Sequence, residues 1–282
     1  MAKKRYPIQR RIPVRQTTAN ANGIVEVGKE LSKANKRLYR QGRYYTVKID
    51  LDQASLSSSP IEVYALRDTW GHQKAYQMAF DVYQKTTAEE RSRLSKDQIA
   101  RWLDFRVQHG ITVAGAQNML AQVTDGAGAT SALTGGEFLD TQVEDKAGNT
   151  MVFTWGADAP GVRYGIMAQY EKYSEADNDP DASVSSGPYD QQDTDTSDVE
   201  TLALTGRGNS PPYEANSFSE RWHKVATLRA LPGEQRLSTG YFTAPCGFVW
   251  ISGLNGSTST PVFMEVKAGD YKGVLADSML EA

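Results

Sequence analysis

Positive charge is concentrated at one end of the chain. Residues 1–48 hold 13 lysines and arginines against two acids, Glu26 and Glu30, a net charge of +11. The whole chain has 31 basic and 34 acidic residues, so residues 49–282 carry 18 basic against 32 acidic, a net −14. A total near neutrality conceals a dipolar molecule. That asymmetry predicts a basic arm for a polyanion, joined to an acidic body.

The arm divides in two. Residues 3–15 (KKRYPIQRRIPVR) combine six basic side chains with two prolines and little apolar mass. Too little surface can be buried there to offset ordering, and Pro7 and Pro13 forbid a regular helix, so disorder without a partner is expected. In residues 24–40, Val27, Leu31, Ala34 and Leu38 fall on one helical face and lysines and arginines occupy much of the rest, although Gly28 weakens the helix. The boundary is placed at 42, with an arm over 1–42 that is partly disordered or a short helix. Charge density alone binds phosphate. The expected nucleic-acid contacts are Lys3, Lys4, Arg5, Arg10, Arg11, Arg15, Lys29, Lys33, Lys36, Arg37 and Arg40. The competing readings are a membrane-surface segment, whose apolar face is narrow and lacks Trp or Phe, and a solvated tail or targeting peptide. No secretory apolar run is present, and a mitochondrial presequence is normally richer in serine and less broken by proline.

Composition narrows the class. No apolar run approaches the ~20 residues that span a bilayer, so no membrane partner is expected. The single cysteine, Cys246, forbids an intrachain disulfide and sits in the apolar run APCGFVWISG, where a buried structural thiol is expected.

Along the body, Tyr45, Val47, Ile49 and Leu51 alternate in RYYTVKIDL (43–51), a half-buried strand, and IEVYAL (61–66) is a second. The period then becomes helical over about 69–109. Tyr76, Ala79, Phe80 and Tyr83 share a face, and Leu94, Ile99, Trp102 and Leu103 make a second apolar stripe. Thr86 with Glu89, Thr87 with Glu90, and Ser95 with Gln98 match capping-box spacing, so two or three helices are expected. Residues 111–123 are ambiguous and 124–136 read as loop. A hairpin is expected from 137–145 and 150–158 around the turn KAGN. Further strands are expected at 161–173, 200–206, 222–231, 237–253 and 261–274, with a polar tail over 276–282.

Residues 171–200 hold ten acids and one base. The segment from about 174 to 199 reads as a solvated surface loop. Asp177, Asp179 and Asp181 alternate like calcium ligands, a weak candidate because Pro180 intrudes and the glycine and glutamate of a calcium loop are missing.

Signatures of catalysis are sparse. GxSxG, P-loop, HExxH, CxxC and GxGxxG patterns do not occur. His72 and His109 lack a second ligand at metal spacing and read as packing or surface residues. Gly135-Gly136-Glu137-Phe138 spells GGEF without the acidic residue or the alternating α/β context of a cyclase, and reads as a turn entering a strand. Acid pairs such as Glu144 and Asp145 suggest glycosidase chemistry only if something places them opposite one another. Neither an enzyme nor a cofactor is expected.

Roughly eight to ten strands that do not alternate with helices argue against a parallel doubly wound sheet. The expected fold is mainly β: a single eight-stranded antiparallel jelly-roll sandwich, with a helical insertion after the second strand and a basic N-terminal arm. RYYTVKIDL, DTWGHQKAYQMAF, ARWLDFRVQHG, STGYFTAPCGFVWISG and VFMEVKAGDYKGV, taken with the arm, resemble the capsid proteins of small circular single-stranded DNA viruses that encode a replication initiator. The resemblance implies a single jelly roll that assembles with itself into an icosahedral shell of roughly 60 or 180 copies. It further implies arms facing a packaged genome of single-stranded DNA, a virion location with host nucleus or cytoplasm during assembly, and no enzymatic activity. A jelly-roll carbohydrate-binding module or glycoside-active enzyme, and a cellular nucleic-acid-binding protein, are the alternatives.

Overall fold

Alternation sets the centre of the sheet. In β3 (Arg43–Asp52), Tyr45, Val47, Ile49 and Leu51 are all fully buried on one face. A strand with that pattern must lie against a core, and each such side chain contributes ~1.5–3 kcal/mol by leaving water. The computed structural model describes residues 7–16, 18, 20–52, 60–95, 99, 102–113, 116–136, 138–171, 221–229, 236–254 and 262–281.

Before β3 come β1 (Arg11–Gln16), β2 (Asn22–Glu26) and α1 (Val27–Asn35). After it come β4 (Ile61–Leu66), α2 (Trp70–Arg93), β5 (Gln117–Thr124), β6 (Thr130–Ala132), β7 (Gln142–Glu144), β8 (Thr150–Thr154) and β9 (Arg163–Gly165). The chain closes with β10 (Trp222–Leu228), β11 (Arg236–Pro245), β12 (Phe248–Ser252), β13 (Val262–Val266) and β14 (Ala276–Ser278).

Two rows of strands result. One runs β1–β13–β3–β11 and the other β10–β4–β12–β2, with every neighbour antiparallel. β5 joins the rows, antiparallel to β1 and parallel to β2. Ile12, Val14, Val47 and Ile49 from the first row and Val25, Ile61, Val63 and Ile251 from the second share one core. The fold is therefore mainly β, a curled and largely antiparallel sheet compatible with a β-sandwich. Across the outer side of the first row, charges are paired strand to strand. Arg11 on β1 and Lys48 on β3 both meet Asp50 and Glu265, and the Tyr241 hydroxyl on β11 donates to Glu265 at 2.8 Å.

Several expectations are corrected. Residues 11–16 and 22–26, assigned to the arm, are sheet strands. Ile12, Val14 and Gln16 point inward while Arg11, Pro13 and Arg15 do not, so the charges lie on the outer side of a strand. Pro13 opposes Phe263 just beyond the stretch that β5 pairs, where its missing N–H is tolerated. Residues 1–6 lie outside the described residues. The helical insertion follows the fourth strand, not the second, and the breaks expected within it at Thr86 and Thr87 fail; Gln98, expected to pair with Ser95 in a third, lies outside the described residues. Thr86 and Thr87 do not cap new helices. Their hydroxyls donate to the carbonyls of Val82 and Tyr83, one turn back, and α2 runs through both. The described part of 102–113 is not helical.

Smaller corrections follow. Residues 161–173 give only the short β9, followed by helix over 166–171. β6 pairs with β5 inside the expected 124–136 loop. The polar tail contains β14, paired with β3, and the fully buried Met279. The expected hairpin at 137–158 forms between β7 and β8, its turn held by Asp145, whose carboxylate accepts the N–H groups of Ala147 and Asn149. Gly28, the weak point of α1, is a close approach. A Cβ there would sit 3.1 Å from the Tyr45 hydroxyl and 3.2 Å from the Tyr39 carbonyl.

The insertion seats on the sheet through a second cluster, in which α2 contributes Ala75, Tyr76 and Ala79, and Phe105, Val107, Phe153 and Trp155 meet Phe248. His72 is buried in the first turn of α2, stacked on Trp155 with ring centres 5.6 Å apart and with Nδ1 2.7 Å from the Thr69 hydroxyl. Its Nε2 has no hydrogen-bond partner among the described residues. Burial, aided by the Arg67 and Arg221 charges, lowers its pKa to about 4 from an ordinary 6.5. The folded protein thus refuses a proton that the unfolded chain accepts, and stability falls as pH drops from 6.5 towards 4. We predict that this group removes about 3 kcal/mol of unfolding free energy across that window, and that His72→Gln flattens the same part of the profile in urea titrations at stepped pH.

Candidate functional site

The expected nucleic-acid contacts do not form one free patch. Lys3, Lys4 and Arg5 lie outside the described residues. Arg10 is exposed, and its carbonyl accepts the N–H of Val266. Arg11 is committed to Asp50 and Glu265, with its guanidinium 4.7 Å from the Phe263 ring centre. Arg15 is half-buried opposite Leu120 of β5. Arg40 is exposed but reaches Asp104 at 3.2 Å. Arg37 is exposed just beyond α1. Lys29, Lys33 and Lys36 recur at four and three residues, one side of α1. The stems of Lys29 and Lys33 lie beside Gly135, and Lys36 ends the helix in a left-handed conformation. The structure thus gathers these three against residues 133–142 and disperses the others over the sheet and the loop after α1.

Lys33 is drawn inward by Glu30. Both side chains are almost completely buried, with Nζ 2.6 Å from Oε1, and the other carboxylate oxygen accepts the N–H of Ala121 on β5 at 2.6 Å. Burial pushes the Glu30 carboxyl above its ordinary value, against the opposing pull of Lys33. The pair fastens α1 to the strand that joins the two rows.

A groove of about 860 Å³ opens between α1, the middle of α2, and residues 102–106 and 133–142. Its wall is mixed. Trp102, Leu103 and Leu139 are exposed apolar side chains, Leu139 at 75%. Lys33 and Lys36 supply charge from α1, and Asp104 and Asp140 from the other side. Asp104 is already engaged. It accepts the Gln41 N–H at 2.8 Å as well as Arg40, while burial raises its pKa.

Arg106 lines the same groove and is only 3% exposed. Its Nη2 donates to Glu26, and its backbone is held on both sides by Thr141. Its Nε and Nη1 are buried without a hydrogen-bond partner among the described residues. Phe138 lies over the guanidinium with its ring centre 5.2 Å from Cζ. Gln41 completes the cluster, donating to Glu26 and to the Val107 carbonyl and accepting the Val107 N–H. Sequence reasoning missed Arg106. Its one signal is a charge set inside the apolar run Phe105–Val107.

Asp177, Asp179 and Asp181, and most of the acidic segment, lie outside the described residues. No cluster of three or more His, Cys, Asp or Glu side chains that could hold a metal occurs among the described residues. Phe138 of the GGEF stretch belongs to the groove wall, and the chain there is not a strand; Glu137 lies outside the described residues. Cys246 is fully buried in the β11–β12 turn, and burial pushes its thiol pKa well up. No described helix is long and apolar enough to cross a membrane.

No protein family, curated protein or solved structure matches this chain.

The Glu30 carboxylate is predicted to be the costliest side chain of α1 to remove. Glu30→Ala leaves a buried ammonium without a counterion and the Ala121 N–H without an acceptor, and should lower the unfolding free energy by about 3–5 kcal/mol in urea titrations at neutral pH.

Proposed function

We propose that the chain is a capsid subunit: a single jelly roll that assembles with copies of itself into a closed shell around nucleic acid. The observation that carries this reading is the order of strand pairing. Set aside the strands of the insertion and β14, and eight remain. The first pairs with the eighth (β1 with β13), the second with the seventh (β2 with β12), the third with the sixth (β3 with β11) and the fourth with the fifth (β4 with β10). Such pairing supports one long antiparallel ribbon wound on itself, the plan of a jelly roll. Most of the extra mass falls between the fourth and fifth strands of the eight.

Large apolar side chains left in water support association. Trp70 is 65% exposed, Trp102 51%, Leu139 75% and Val162 58%, and all belong to that insertion. Of these, Trp102 and Leu139 line one groove; contiguous exposed apolar surface favours contact with another protein surface, and symmetric shells need broad complementary faces. The charge asymmetry supports nucleic acid as cargo. The contribution of residues 11–40 is smaller than their composition implies, because Arg11, Lys33 and Arg40 are paired within the subunit. A carbohydrate-binding module is the second reading. The observation favouring it is an aromatic trio, in which Tyr64 stacks on Trp250 at 4.5 Å and Trp222 meets Trp250 edge-on at 6.2 Å.

Electron microscopy of the purified protein, with its 260/280 nm absorbance ratio, tests the proposal. Uniform closed particles with a nucleic-acid-like ratio are expected. Monomers at every salt and pH tried, with and without added nucleic acid, would overturn it and leave the carbohydrate reading standing.

A further inference from the structure

The geometry points to the groove between α1 and residues 133–142 as a site for one nucleotide of a single-stranded nucleic acid, its base taken against Trp102 and its phosphate beside Lys36. This deepens the nucleic-acid half of the proposed function and places it on the folded domain.

Three features of the groove carry the inference. The first is Arg106. A guanidinium that is 3% exposed, with Nε and Nη1 lacking any partner among the described residues, has been desolvated without compensation. An acceptor supplied by a ligand recovers that loss. Base carbonyls and ring nitrogens are such acceptors, and arginine is their commonest partner. Phe138 now covers the guanidinium at 5.2 Å. A flat base can take the place of that ring against the same cation, as stacking on arginine and aromatic faces requires.

The second feature is the mixture of surfaces. Trp102 is half in water and Lys36 is exposed, and both line the groove. A nucleotide is an aromatic plate joined to an anion, and matches both. Three acids near the groove are already occupied: Glu26 by Arg106 and Gln41, Glu30 by Lys33 and Ala121, Asp104 by Arg40 and Gln41. Asp140 remains on the wall opposite α1.

The third is size. A volume of about 860 Å³ is that of a small-ligand site. It admits an unstacked base and its phosphate, whereas a paired base would first have to break its pair and leave its stack.

Isothermal titration of the full-length protein at low salt with deoxynucleoside 5′-monophosphates, the corresponding nucleosides and inorganic phosphate tests this. The monophosphates are expected to bind, and nucleoside and phosphate alone to bind at least about tenfold more weakly. Trp102→Ala should weaken monophosphate binding by about fivefold or more, and Lys36→Glu should weaken it further as salt is lowered. Arg106→Gln should abolish binding, but that residue also holds Glu26. The two exposed variants, whose unfolding midpoints should match the parent, therefore keep the test decisive. The site is overturned if no monophosphate binds, if phosphate alone binds as tightly, or if neither exposed variant changes the affinity. Particle formation is read separately. Nucleic-acid-filled particles without monophosphate binding discard the groove and keep the packaging reading, while binding without assembly keeps the groove alone.

Discussion

The fold depends on a strand near the N-terminus finding a place between two strands that lie far from it in the chain. β1 is flanked by β13, about 250 residues on, and by β5, about 105 residues on. Its inward side chains Ile12 and Val14 are lost to water completely or nearly so. Remove β1, and β13 and β5 each gain an open edge, and the hydrogen-bonded path between the two rows, which runs from β2 through β5 to β1, is broken. Closure of this kind is entropically expensive and comes late, because long loops must be ordered before any of its contacts form. The Glu30–Lys33 pair reinforces it by tying α1 to the backbone of β5.

The same strand explains how a chain can carry +11 in 48 residues and still set residues 11–16 into a sheet. A strand separates its side chains by parity, so a sequence that alternates cations with aliphatics buries one set and presents the other. Arg11 and Lys48 then both find Glu265 on β13, the strand between theirs, and Asp50 on β3, and the outer side of the row becomes a chain of compensated charge. What looks like a polyelectrolyte in one dimension is in part a cross-strand network in three.

That is also why some of the structure was legible in the sequence and some was not. β3, β4 and β13 were readable because their alternation is uninterrupted: Tyr45 to Leu51, Ile61 to Ala65, and Val262 to Val266 each bury every second residue. β1 was not, since two inward aliphatics flanked by arginines and interrupted by Pro13 give the same composition as a disordered arm. Helix ends in the insertion misled for a local reason. A threonine followed by a glutamate three residues later caps a helix only if the chain before it is not already helical, and Val82 and Tyr83 are. The groove was least visible of all. Its members come from α1, α2 and the 102–106 and 133–142 stretches, and the partner that fixes Arg106 is Glu26, 80 residues away. No spacing rule reaches that far. Trp102 could be singled out by residue type, and its exposure was settled only by the position of the chain around it.

Residues 11–16 form a structural strand with distinct faces. Val14→Asp and Arg15→Asp change adjacent residues of that strand, one fully buried and one half-buried on the opposite side. Urea unfolding of the two variants beside the parent tests it most directly. The account predicts that Val14→Asp abolishes folding or costs more than about 4 kcal/mol, while Arg15→Asp stays within about 1 kcal/mol of the parent. Equal and small effects of both substitutions would contradict it, and would return residues 11–16 to a solvated arm.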